Sequence, residues 1–219
     1  MPSGGRTKPI QDLVDRGHIA CQAEEWFEAE RLLDRALTMS HGRRDFSGMV
    51  EILEALAHAR AGRRRLALAS RAAVRIIDDA VTDTMELERG RYLVQPPLVG
   101  ADARRLRLLA LSREIPVIVA CREPRTQLGM IPIVAIGPVG AVRTRVQPPA
   151  KEDRPSAGWM RDALLELGAA AVASVDPGHA AERRLEQVIG LIDTLPEDES
   201  LYQLGIELCH AAEQEAAGR

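Results

Sequence analysis

Residues 116–121, PVIVAC, restrict the possible folds of this chain more than any other stretch. A proline opens the run, and five apolar or small side chains follow without a polar alternate. Three of them, Val117, Ile118 and Val119, are β-branched. Such a run reads as a short strand covered on both faces, and a strand of that kind needs a helix layer on each side of its sheet. The chain must therefore supply helices and further strands around it.

It does so from Arg91 onward. Tyr92, Leu93 and Val94 begin a strand that Pro96 and Pro97 stop, and Ala101 to Arg113 forms an arginine-rich amphipathic helix with Leu106, Leu108, Leu109 and Leu111. IPIVAI at 131–136 and VGAVRTRV at 139–146 flank Gly137 and Pro138 and read as a hairpin, with Arg143 and Arg145 on the wet face of its second arm. A helix from Trp159 to Leu167, closed by Gly168, precedes AAVASV at 170–175, read as a fifth strand. Helices at about 180–194 and 199–215 finish the chain. The expected architecture is α+β or α/β with a mixed sheet of about five strands.

The segment VQPP occurs at 94–97 and again at 146–149. Each copy ends a strand and leads to a leucine-rich helix and an apolar run. Two accounts stand open, an internal duplication or two strands that merely end alike. If both exits share one sheet edge, Gln95 and Gln147 are expected as near neighbours.

The first third is all helix. Apolar and small positions fall at helical spacing through Ile10, Leu13, Val14, Gly17 and Cys21, and again through Trp26, Ala29, Leu33, Ala36 and Leu37. A third helix is expected from Phe46 to Ala61, ended by Gly62, and a fourth to about Ala80. The run GHIACQAEEWFEAERLLDRAL resembles a tetratricopeptide repeat, with Gly17, Ala20, Trp26, Ala29, Leu33 and Ala36 in the places where small residues let paired helices approach. The resemblance implies a groove for a peptide or partner helix, with Arg16, Gln22 and Trp26 as its candidate contacts. The expected organisation is a loose tail (1–8), a tetratricopeptide-like helical module (9–80), a linker (81–90) and an α/β domain (91–219).

At 219 residues, 28% charged and with a net charge of −3, the chain carries no signature of nucleic-acid or membrane binding. Only 3% of residues are aromatic, so stacking platforms for bases are scarce. Cys21, Cys121 and Cys209 lie far apart and form no CxxC pair, and Cys121 reads as a packing residue. No charged-then-apolar leader or bilayer-length apolar run is visible, so a reduced, cytoplasmic setting is expected.

The order helix, three strands, helix, strand resembles the core of the PD-(D/E)xK nucleases. That family needs acidic residues on the central hairpin, and 131–146 has none. No dinucleotide, triphosphate, hydrolase or zincin signature is present, and the five histidines form no metal cluster, so neither cofactor nor metal is expected. The remaining argument is positional, since open sheets bind ligands beyond the carboxyl ends of their parallel strands. Those ends carry Gln95, Asp102, Arg122, Arg125, Gln147, Asp176 and His179, and Arg122, Arg125 and the helix start near Ala101 suit a small anion or nucleotide. The competing expectation assigns Asp102 to a helix cap, pairs Arg122 with Glu123, and leaves Arg63–Arg65 as a solvated face. The expected function is a non-catalytic protein-interaction or scaffold role with a protein partner; the alternative is a ligand-binding or enzymatic α/β domain.

Overall fold

The computed structural model describes residues 8–70, 72–138 and 140–218. The expected tail falls outside them except for Lys8, which opens the first helix, and Val139, the first residue of the expected second hairpin arm, also lies outside. The arrangement is the expected one: helices first, then a five-stranded mixed sheet, then C-terminal helices.

Helices α1 (Lys8–Gln22), α2 (Trp26–His41) and α3 (Phe46–Leu68) pack in sequence. Gly17 sits against Leu33, so that a Cβ there would stand 2.8 Å from Leu33 Cγ. Asp45 caps α3 by accepting from the Gly48 N–H at 3.0 Å. Helix α3 passes straight through Gly62, which was expected to end it. The indole of Trp26 lies flat on that glycine, where a Cβ would overlap its ring atoms, and Trp26 also meets His58 edge-on at 5.5 Å. The glycine is there for close approach of α2 and α3, not for a turn. Gly62→Ala is expected to cost about 1–3 kcal/mol through overpacking, although alanine gains about 1 kcal/mol of helix propensity. Urea unfolding checks this; an unchanged or higher midpoint would mean that the indole yields.

The expected fourth helix is absent among the described residues. After Leu68 the chain extends into β1 (Arg75–Ile77), where the β-branched pair Ile76 and Ile77 lies parallel to β2 (Gly90–Val94). The sheet order is β1–β2–β3–β4–β5, with β3 Val117–Arg122, β4 Ile131–Ile136 and β5 Ala141–Val146. The first three strands are parallel, and β4 and β5 alternate in direction. Helix α4 (Gly100–Ser112) makes the crossover from β2 to β3, and its Ala103, Leu106 and Ala110 cover Tyr92, Val94, Val117 and Cys121. On the other face Leu93, Ile118 and Ala120 pack on Ala67 of α3 and Met160 of α5 (Ala157–Ala173). The PVIVAC run is thus covered on both faces, as its composition requires.

Residues 170–173, expected as strand, continue α5. Alanine is the strongest helix former, and a short apolar run does not by itself separate strand from helix. Gly168, expected to close this helix, lies inside it, where a Cβ would run into the Asp198 carboxylate that caps α7 (Glu199–Ala217). With no strand after α5 among the described residues, the second VQPP unit has no counterpart to the first, and the duplication account falls. Both exits do lie at one edge, since β2 and β5 point the same way. They are not neighbours: β3 and β4 stand between them, and the register puts Val94 in line with Arg143, so Gln147 also lies three residues further along its strand than Gln95.

Helix α6 (Ala181–Thr194) completes the set, and one apolar core runs from α1 to α3 through β4 and β5 to α5, α6 and α7. Inside it lies a charged group. Glu30, 4% exposed, accepts from Arg60 Nε at 2.8 Å and from Arg63 Nη1 at 2.6 Å. Arg60 also donates to the Tyr202 hydroxyl at 2.7 Å and to both oxygens of Asp34, and Arg63 to Glu197 at 2.9 Å. Arg63, expected on a solvated face, is 5% exposed.

Candidate functional site

Strands β3 and β4 pair only at Cys121–Val134 and Arg122–Ile133. From there they separate. Val117 to Ala120 keep β2 on one side, and Ala135 and Ile136 keep β5, but across the gap between them no strand pairing exists among the described residues. A cavity of about 920 Å³ fills the wedge. Its walls are the two diverging strands, Gly100 and Ala103 of α4, Met160 and Leu164 of α5, and the turn from Leu195 to Ser200 between α6 and α7.

Local sequence sets these walls. Gly100 at the start of α4 brings the helix onto β4, where a Cβ would stand 2.9 Å from Ile136 Cδ1. Arg107 ties α4 to the end of α6 by donating to the carbonyls of Thr194 and Asp193 at 2.7 and 2.8 Å, a cation on a helix C-terminus. The 195–199 turn is anchored from behind: Tyr202 donates to the Pro196 carbonyl at 2.9 Å, and Arg63 and Arg64 hold Glu197 and Glu199. Asp198 accepts from the Ser200 and Leu201 N–H groups.

The residues expected at the strand ends are only partly brought together. Arg122, 9% exposed, donates through Nε to the Gln95 side chain at 3.0 Å and through Nη2 to the Glu152 carbonyl at 2.8 Å, while its buried Nη1 has no partner. Burial lowers the pKa of this guanidinium. Arg125 pairs with the Glu152 carboxylate, and Glu123 pairs with Arg143 rather than with Arg122. Asp102 caps α4 by accepting from the Val99 N–H at 2.8 Å. Gln147 stands apart, its carbonyl accepting from Trp159 Nε1 at 2.8 Å. Asp176 and His179 do not lie at a strand end at all. They sit 3.7 Å apart in the exposed turn between α5 and α6, because the strand expected before them is helix.

The expected groove contacts are divided as well. Arg16 is exposed near Asp12 and Glu28, Gln22 is exposed, and Trp26 is 5% exposed against Gly62. Cys121 is fully buried, and burial pushes its thiol up to about 12, so it packs rather than attacks.

Sequence reasoning missed the cavity arginines. Arg104 and Arg107 were seen only as part of an arginine-rich helix. The available signal was their i, i+3 spacing on the side that also carries Gly100 and Ala103, small residues that leave room beside a sheet. Among the described residues no group of His, Cys, Asp and Glu could hold a metal, and no helix is long and apolar enough to cross a membrane. No family model, no curated protein and no solved structure matches this chain.

Proposed function

We propose that this protein binds a small ligand in the wedge between β3 and β4 and has no catalytic role of its own. One observation carries the reading: a cavity of about 920 Å³, walled largely by apolar side chains, lies where the central sheet opens. Its size falls within the range of ligand pockets, which are concave, mostly apolar and furnished with a few polar groups. The ligand-binding alternative thus gains support at a place other than the strand ends where it was expected.

Leu164→Trp is expected to fill the wedge from α5 and to abolish ligand binding. Thermal unfolding against a panel of apolar acids and their neutral analogues tests it. A ligand at a hundredfold excess over Kd stabilises the native state by about 2.7 kcal/mol, a Tm rise of roughly 5–10 °C for a chain of this length. Loss of that rise in Leu164→Trp, with the fold intact by circular dichroism, supports the assignment. An equal rise in both proteins places the ligand elsewhere.

A second reading is a tetratricopeptide-like module offering a groove to a partner helix. The close approach of α1 and α2 at Gly17 and Leu33 supports it, as does Ile19, which is 63% exposed on α1. With Trp26 buried, its expected contacts reduce to Arg16 and Gln22.

A further inference from the structure

Five arginines line the wedge cavity among the described residues, and four of them are engaged. Arg64 donates to the Glu197 carbonyl at 3.0 Å and pairs with Glu199. Arg91 has a buried Nε without a partner, but its two Nη atoms donate to the carbonyls of Leu68 and Ser70. Arg107 holds the end of α6, and Arg161 pairs with Asp162 at 2.8 Å. Arg104 is different. It makes no hydrogen bond or ion pair with any described residue, and its Nε is buried without a partner.

The position of Arg104 adds to this. It lines the wedge cavity and also a shallow pocket outside α4, beside Asp83 and Leu108, so it stands at the mouth between them. One turn along, Arg107 has its pKa lowered, first by burial and then by the positive neighbours Arg60, Arg63 and Arg104, with Glu197 opposing. The side chain is only partly buried, but its unmatched Nε and its position among further cations make a place that an anion would complement.

We propose that the ligand of the wedge is an amphipathic anion, an apolar body carrying one carboxylate or comparable singly charged head, with Arg104 receiving the head and the gap between β3 and β4 the body. This rests on the reading of the wedge as the ligand site. The walls limit the charge. One arginine is unengaged, and the other four already hold backbone carbonyls or carboxylates, so the walls match a single anionic head and leave the further charges of a nucleotide or other polyanion without a partner. The apolar walls suit an extended aliphatic or flat aromatic body.

Matched probes test the proposal: decanoate and 1-decanol, equal in chain length and different in charge, titrated by calorimetry into the full chain and its variants. Wild type is expected to bind decanoate at least about tenfold more tightly, the scale of a charge-assisted hydrogen bond. Arg104→Gln should erase that preference and leave decanol binding unchanged, and Arg104→Lys should keep part of it, since lysine offers a point charge without the fork. Arg105→Gln, which removes a neighbouring exposed arginine paired with Asp83 at 3.1 Å, should behave as wild type. Without ligand, Arg104→Gln should melt no lower than wild type, because it breaks no bond within the fold.

Equal affinities of wild type for the two probes would overturn the anion assignment while leaving the wedge as an apolar site. So would a preference that survives Arg104→Gln, or one lost equally in Arg105→Gln. Failure of both probes to bind wild type would overturn the wedge reading itself, and the anion assignment with it.

Discussion

Glu30→Gln is expected to destabilise the protein by about 3–5 kcal/mol, the usual effect of removing one member of a buried charge cluster. The glutamine keeps the shape of the side chain and removes only its charge. Arg60 and Arg63, 4% and 5% exposed, then share a neutral carbonyl where they had shared a carboxylate. Glutamine also brings an NH2 group that finds a guanidinium where an acceptor is needed. Since whole domains are stable by only about 5–15 kcal/mol, the urea midpoint should fall steeply. Glu199→Gln, at the exposed partner of Arg64, should change it by less than about 1 kcal/mol. If Glu30→Gln also stayed within about 1 kcal/mol, the buried cluster would not be holding α2 to α3. The consequence reaches the wedge, because Arg63 of the same cluster anchors Glu197 in the cavity wall.

Alkaline pH should unfold this protein, and two thiols should account for much of the effect. Burial pushes Cys121 and Cys209 each up to about 12, whereas a thiol in the unfolded chain ionises near 8.5, at roughly its ordinary value. Between those values the native state holds protons that the unfolded state has released, so stability falls as pH rises. Each thiol removes up to about 1.4 kcal/mol per pH unit in this window. Buried Tyr202, its pKa also raised chiefly by burial, steepens the fall above about pH 10, where an unfolded phenol ionises. Below about pH 7 the three groups are protonated in both states and contribute almost no slope. Urea unfolding of wild type and of the Cys121→Ala/Cys209→Ala variant from pH 7 to 10.5 checks this. The variant should start lower, having lost packing, and show a distinctly shallower decline; parallel curves would remove the thiols from the account.

Some elements were legible because the cause lies within the element. PVIVAC, opened by a proline and rich in β-branched residues, read as a covered strand, the prolines after Val94 and Val146 ended their strands, and the spacing of Ile10 to Cys21 and Trp26 to Leu37 placed two helices within a few residues. The errors share another cause. Gly62 and Gly168 looked like helix ends, yet each is an interior glycine facing a bulky partner, Trp26 in one case and Asp198 in the other. A glycine needed for close approach and one needed for a turn are the same letter. The segment 170–175 looked like a strand by composition, and 74–77, which contains β1, was absorbed into an expected helix. The expected number of strands was therefore met with one strand misplaced.

The candidate site was less legible still. Gln95 and Arg122 do meet, but Asp176 and His179 were carried off with the misassigned strand. The wedge has no local signal, because an unpaired stretch of strand reads like a paired one. Periodicity, turn chemistry and the absence of charge in the central strand depend on residues close together in the chain, and from them the sequence alone determined the α+β class and most elements. The gap between β3 and β4, the burial of Glu30 between two arginines and the unpaired state of Arg104 depend on groups tens of residues apart. Only the tertiary structure decided those, since whether a charge is matched is settled by what folding brings beside it.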